Sequence, residues 1–177
     1  MNTFKKIITL SSLCLGLILF TMADATAQDG DFDPPFSQGD VVINAGIGLG
    51  TTYSWGGGLG LPIGGGVEFG VADLETGTIG VGGSVGYVGG TGLSILYIGG
   101  KGSYHYPFEN SPDLDVYGGL SLLYRNFSWD SSFIQSSSGL VVGFHLGGRY
   151  YFADNIGAYA ELGNNWAWLN AGIVFKL

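Results

Sequence analysis

The sequence predicts an all-β fold, an eight-stranded antiparallel transmembrane β-barrel wound as an up-and-down meander, and three observations carry that expectation. Residues 41–177 repeat one unit, a run of about ten residues that alternate in character followed by a turn. Alternation of period two marks strands with two unlike faces. Within each unit the apolar side chains share one face and the ionisable ones share the other. The third observation is scarcity: only 11% of the chain is charged against 14% aromatic. A soluble barrel turns its polar face to water and needs many lysines and glutamates there, which these strands lack.

The final stretch, residues 139–177, shows the pattern best. Leu140, Val142, Phe144, Leu146, Tyr150 and Phe152 form one face of a strand, with Val141, His145, Arg149 and Tyr151 on the other. After a turn at residues 153–155, Ile156, Ala158, Ala160 and Leu162 alternate with Gly157, Tyr159 and Glu161. A two-residue turn at Asn164 and Asn165 would pair Gly163 with Trp166 and set Glu161 opposite Trp168, on the face already assigned as polar. The last strand then alternates Ala167, Leu169, Ala171, Ile173, Phe175 and Leu177 with Trp168, Asn170, Gly172, Val174 and Lys176.

The earlier strands follow in order. Val41, Ile43, Ala45, Ile47 and Leu49 face away from Asn44, Gly46 and Gly48, and a loop at residues 51–60 follows. Residues 61–71 put Leu61, Ile63, Val67 and Phe69 opposite Gly64, Gly66 and Glu68, before a polar turn at 72–77. Residues 78–88 set Ile79, Val81, Val85 and Tyr87 against Gly80, Gly82, Ser84 and Gly86, and a glycine-rich loop spans 89–93. Residues 95–106 place Leu96, Ile98, Tyr104 and Tyr106 opposite Tyr97, Lys101, Ser103 and His105. In residues 114–126, Val116, Leu120, Leu122 and Tyr124 oppose Asp115, Tyr117, Ser121 and Arg125, with Leu123 an apolar exception on the polar face. The longest loop is expected at residues 127–138.

Residues 1–27 have the form of a secretory signal: basic Lys5 and Lys6, an apolar run from 7 to 20, and small residues at 25–27. That run is shorter than the roughly 20 apolar residues of a membrane-spanning helix. Cys14, the only cysteine, falls inside it, so the remaining chain has no thiol for a disulfide or metal site. Residues 28–40 are acidic, contain Pro34 and Pro35, and read as an exposed leader. Removing 1–27 takes Lys5, Lys6 and Asp24 from six basic and fourteen acidic residues, leaving four and thirteen. Such an acidic chain is not built for nucleic acid.

In this register Glu68, Lys101, Arg125, Arg149, Glu161 and Lys176 all point one way. Lysine or arginine at a lipid midplane costs about 2 to 4 kcal/mol, so that face is the lumen. Eight strands enclose only enough space for side chains. A polar network of Glu68, Lys101, His105, Arg125, His145, Arg149 and Glu161 is therefore expected inside, with Gly147 opposite Glu161 and with His145 and Arg149 diagonal to it. Tyr104, Tyr106, Tyr150, Phe152 and Phe175 fall near one end of the outward face, where an interfacial aromatic girdle belongs.

The runs GGKGSYHYPF (99–108), LDVYGGLSLLY (114–124), FHLGGRYYFADNIGAYAELG (144–163) and LNAGIVFKL (169–177) resemble the small outer-membrane β-barrel domain family of Gram-negative bacteria, similar in architecture to OmpX and the OmpA membrane domain. The resemblance covers about residues 41–177. It implies integral residence in the outer membrane, contact with outer-membrane lipid and lipopolysaccharide, a monomer, and a C-terminal aromatic signal read by the barrel-assembly machinery, borne here by Phe175.

Chemistry is sparse. His105 and His145 both face the lumen, and neither is expected to have a serine placed beside it as a nucleophile, although Ser103 shares the face of His105. Two distant histidines give no metal spacing, and the glycine runs at 56–58 and 64–66 lack the lysine and helix of a phosphate loop. No catalytic residue, metal or cofactor is expected. The leading expectation is a structural or surface-interaction protein acting through loop residues Tyr53, Trp55, Phe127, Trp129 and Phe133. A narrow pore for small solutes and a lipid A-modifying enzyme remain as alternatives.

Overall fold

The computed structural model describes residues 33–51, 59–130 and 136–177; the expected signal segment, residues 28–32, Tyr53, Trp55 and Phe133 lie outside them. Eight strands follow one another: β1 (Val41–Leu49), β2 (Ile63–Leu74), β3 (Gly77–Gly89), β4 (Leu93–Pro107), β5 (Leu114–Trp129), β6 (Ser137–Ala153), β7 (Ile156–Gly163) and β8 (Leu169–Lys176). Each pairs antiparallel with the next, and β1 pairs with β8, from Val42 with Lys176 to Leu49 with Leu169. The sheet closes on itself as an all-β meander and leaves no edge strand.

The end at which β1 begins and β8 finishes is the lower rim. Its three connections are short where β2 meets β3 and where β6 meets β7, two residues each, Glu75-Thr76 and Asp154-Asn155. A bulge sits beside each of these turns, at Gly70/Ala72 and at Tyr151/Ala153, where the extra residue tightens the local twist. At the upper rim β5 and β6 reach 16 and 17 residues, so the wall is taller there than along the eight-residue strands β7 and β8. The connection expected at residues 127–138 is accordingly shorter, residues 130–136. Phe127 and Trp129 belong to β5, because their backbones continue the ladder to Ser137 and Leu93.

Strand parity sorts the side chains as the period-two pattern requires. The outward face of β6 carries Leu140, Val142, Phe144, Leu146, Tyr150 and Phe152, all exposed, Leu140 at 71%. Glu68, Lys101, Asp115, Arg149 and Glu161 are buried, Arg149 at 1%. This is the reverse of a water-soluble protein, in which ionised groups stay outside and are almost never fully buried unless paired. Leu123, apolar on the polar face, is buried inside the barrel. Tyr106, Tyr150, Phe152 and Phe175 are exposed toward the lower rim, and Tyr87 and Tyr124 toward the upper.

One expectation about the leader is corrected. Residues 33–40 do not form an exposed tether: Phe36 is buried at 2%. Gly39 turns the chain with a φ of +98°, favouring glycine. Its N–H then donates to Gly70 O at 3.0 Å, while Gly70 N–H donates to Asp40 O at 2.9 Å. A side chain at Gly70 would strike the Ser37 carbonyl, so this close approach needs glycine on β2. Thr78 Oγ1 donates to Phe36 O at 3.1 Å, and Gln38 N–H donates to Asp73 Oδ1 at 2.8 Å. The leader thus plugs the lower mouth with one aromatic ring.

Candidate functional site

The lumen is the candidate site, and β2, β4, β5, β6 and β7 supply its charges. Asp115 and Arg149 are direct neighbours across the β5–β6 ladder, and Arg149 Nη1 donates to Asp115 Oδ2 at 3.1 Å. The other arm of the same guanidinium reaches across the barrel to the Glu68 carboxylate on β2. His105 Nδ1 lies 2.9 Å from Asp115 Oδ1, and its Nε2 lies 3.4 Å from Glu68 Oε1. Two carboxylates, one guanidinium and one imidazole therefore form a closed ring just above the leader. Phe36 lies directly beneath, with its ring centroid 4.1 Å from that of His105 and 5.5 Å from the Arg149 guanidinium carbon.

A second tier stands above the first. Lys101 Nζ lies 3.4 Å from Glu68 Oε2 and 3.8 Å from Glu161 Oε2. Tyr117 donates its hydroxyl to Glu161 Oε2 at 3.2 Å, and Asn165 Nδ2 donates to Glu161 Oε1 at 3.1 Å. Gly147 does lie opposite Glu161, but it makes room for the Tyr117 ring, whose atoms a Cβ there would meet at 2.7 Å. The carboxylate turns to Lys101, Tyr117 and Asn165 rather than to the diagonal His145 and Arg149. Burying such charges is tolerable because each has an opposite charge and hydrogen bonds within reach.

His145 has a serine neighbour after all, a correction to the sequence reading. Ser103 Oγ lies 2.9 Å from His145 Nε2 and 2.6 Å from Glu68 Oε1. A hydroxyl has one proton to give. A carboxylate can only accept, so Ser103 donates to Glu68 and accepts from His145 Nε2–H. In that arrangement His145 is the donor to Ser103, not the base that would activate it. Among the described residues, His145 Nδ1 meets no hydrogen-bonding group to orient it. Arg125 stands higher on β5, its guanidinium 4.8 Å from the centre of the Phe127 ring.

The upper mouth is closed differently. The connection between β7 and β8 spans residues 164–168, not two residues as expected, and it folds inward. Glu161 pairs with Asn170 rather than Trp168, a shift of two positions that keeps the faces of residues 169–176, whereas Ala167, expected outside, is buried and Trp168, expected inside, is 44% exposed. Trp166 and Ala167 are buried against Val88, Ile95 and Tyr97, with Leu59, Leu93 and Phe127 packed around them. Phe127 is therefore an inward side chain and not a loop contact, while Trp129 is 37% exposed. Glycines at 48, 64 and 86 all face the Trp166 indole so closely that a Cβ on any of them would collide with it. Ser121 Oγ donates to Asn165 Oδ1 at 2.5 Å, and Asn164 Oδ1 accepts from Phe144 N–H at 2.7 Å.

No protein-family model matches the chain, and no curated protein matches it significantly. Among solved structures, the N-terminal β-barrel domain of Pseudomonas aeruginosa OprF aligns with a TM-score of 0.60 at 18% identity, covering 80% of this chain and all of that one. The fold is that of an outer-membrane barrel. The outer-membrane protein OprG of the same organism aligns with a TM-score of 0.54 at 15% identity, over 82% of this chain and 99% of its own. A de novo designed transmembrane β-barrel aligns at 0.53 and 18% identity, over 80% and 98%. At these identities the likeness is one of architecture.

Proposed function

We propose that the protein is an integral outer-membrane barrel with a closed polar lumen, acting as a structural or surface-interaction element through the connections at its upper rim. The observation that carries this reading is the inversion of the molecule. Its lipid-compatible apolar face is continuous outside, its charges are paired inside, and each mouth is filled by an aromatic side chain. The lower rim, where β1 begins and β8 ends, faces the periplasm in this reading, and Phe175 serves as the C-terminal aromatic for the assembly machinery. Lipopolysaccharide surrounds the upper outward face, and the barrel acts as a monomer.

The first test is location: outer-membrane fractions should contain a form whose electrophoretic migration changes on heating. The second is closure. The purified barrel in planar bilayers should stay silent, and a steady conductance would replace this reading with the narrow pore. Mass spectrometry of lipid A from cells with and without the protein should show the same acyl pattern; a change would favour the enzyme.

A further inference from the structure

Between the ionic tiers and Trp166 the lumen keeps a small void on the side of β1, β2, β7 and β8. It measures about 10 Å³ and is bordered by Asn44, Ser84, Lys101, Tyr159, Trp166 and Asn170. Glycines in the wall create the room. A Cβ at Gly46 would come within 2.6 Å of the Tyr159 hydroxyl, one at Gly66 within 3.1 Å of Asn44 Oδ1, and one at Gly48 within 3.1 Å of Asn170 Oδ1. With no side chains there, the polar heads of longer neighbours turn into the space.

Among the described residues, three of the groups around the void lack protein partners. Asn170 is 1% exposed, yet neither its amide nitrogen nor its oxygen hydrogen-bonds to another group among the described residues. The Tyr159 hydroxyl, on a residue 4% exposed, and the Ser84 hydroxyl are in the same position. Buried polar groups in folded proteins are almost always satisfied, so several of them around one void specify a guest. Size and charge narrow it. A void near 10 Å³ has room for about one water and nothing larger. Lys101 borders it and disfavours a cation, Glu161 borders it and disfavours an anion, and hydroxyls and an amide can each both give and accept hydrogen bonds.

We propose that this void is a binding site for a single water molecule, held by Asn170, Tyr159 and Ser84. Trp166 roofs it and the ionic tiers floor it. With Asn170 1% and Tyr159 4% exposed, the water is held away from bulk solvent.

The test uses the full barrel in deuterated detergent micelles. Nuclear Overhauser cross-peaks between water and the Asn170 side-chain amide should have the sign of a long-lived bound molecule; their absence from the assigned, folded protein would overturn the proposal. Asn170→Leu, close in volume, gives a second readout through its sign. If water fills the site, leucine removes the water's main partner, and the thermal midpoint should fall by about 3 °C, the scale expected for a small loss in a chain of this length. If the site is dry, leucine relieves an unpaired amide and the midpoint rises, which would sink the idea even where the cross-peaks are too broad to read. Heat-modifiable migration confirms that the variant is folded.

Discussion

The lower and upper halves of the lumen are closed by opposite chemistry within one wall of strands. Below, Glu68, Asp115 and Glu161 interleave with Lys101 and Arg149, and every member comes from a strand whose parity already aims it inward. Above, Trp166 and Ala167 fold back from a connection and pack on Val88, Ile95 and Tyr97. The ionic half is set by what its strands contain, while the aromatic half is set by what its wall lacks, side chains at Gly48, Gly64 and Gly86. The difference has an energetic consequence. Removing one member of a buried ion cluster strands the others, whereas removing an indole leaves a gap near a mouth that solvent can enter.

The largest effect should therefore come from Arg149. Arg149→Ala leaves Glu68 and Asp115 facing each other through a gap, and loss of one partner from a buried pair costs about 3 to 5 kcal/mol. Urea unfolding in detergent, followed by tryptophan fluorescence, should show that loss. Arg149→Lys should recover little of it, because an ammonium cannot place two rigid arms on two carboxylates as the guanidinium does. A loss below about 1 kcal/mol for the alanine variant would put this ion ring in the range of surface pairs and break the contrast between the halves.

The parts legible in the sequence are the ones governed by strand parity. Period two and the placement of Lys101, Arg149 and Glu161 are enough to set the faces within the paired strands, and those of residues 169–176 survive a β7–β8 register moved by two positions, while Ala167 and Trp168, outside the ladder, take the opposite sides. Partners inside the lumen were less legible. Glu68 and Arg149 lie 81 positions apart on opposite walls, and which strands face each other across a barrel depends on its stagger, which no local pattern records. Phe36 was missed because the leader's two aromatics, Phe32 and Phe36, stand among aspartates and prolines in no strand pattern. Trp166 was missed because Asn164-Asn165 is a good two-residue turn, although three glycines at inward positions were a signal that something large must fit against them.

Trp166→Ala tests the upper half. Truncating a buried tryptophan costs about 3 to 5 kcal/mol in a sealed core, and about 3 kcal/mol is expected here, since the mouth admits water into the space. The loss should be the same at low and high salt, as no ion pair is touched, and urea midpoints at two salt concentrations would check it. A salt-dependent loss would mean that Asn165 and its bond to Glu161 had moved with the indole, tying the two halves together.

The smallest effect on the barrel is expected at Phe36, although it is as buried as Trp166. The leader joins the wall through a few hydrogen bonds at Gly70, Asp73 and Thr78, and it can leave the lower mouth without opening any strand pair. The cost of Phe36→Ala is then bounded by undocking of the leader, about 1.5 kcal/mol for the lost burial of one large apolar side chain. A free energy of that size changes the docked-to-undocked ratio about tenfold. Cleavage of residues 33–40 by proteinase K in the folded protein should accelerate by that factor, while the unfolding midpoint of the barrel stays nearly fixed. If the midpoint instead fell as far as in Arg149→Ala, the Phe36 ring would belong to the ionic tier it touches through His105 and Arg149, and the lower closure would be one cooperative unit rather than a plug laid on a finished wall.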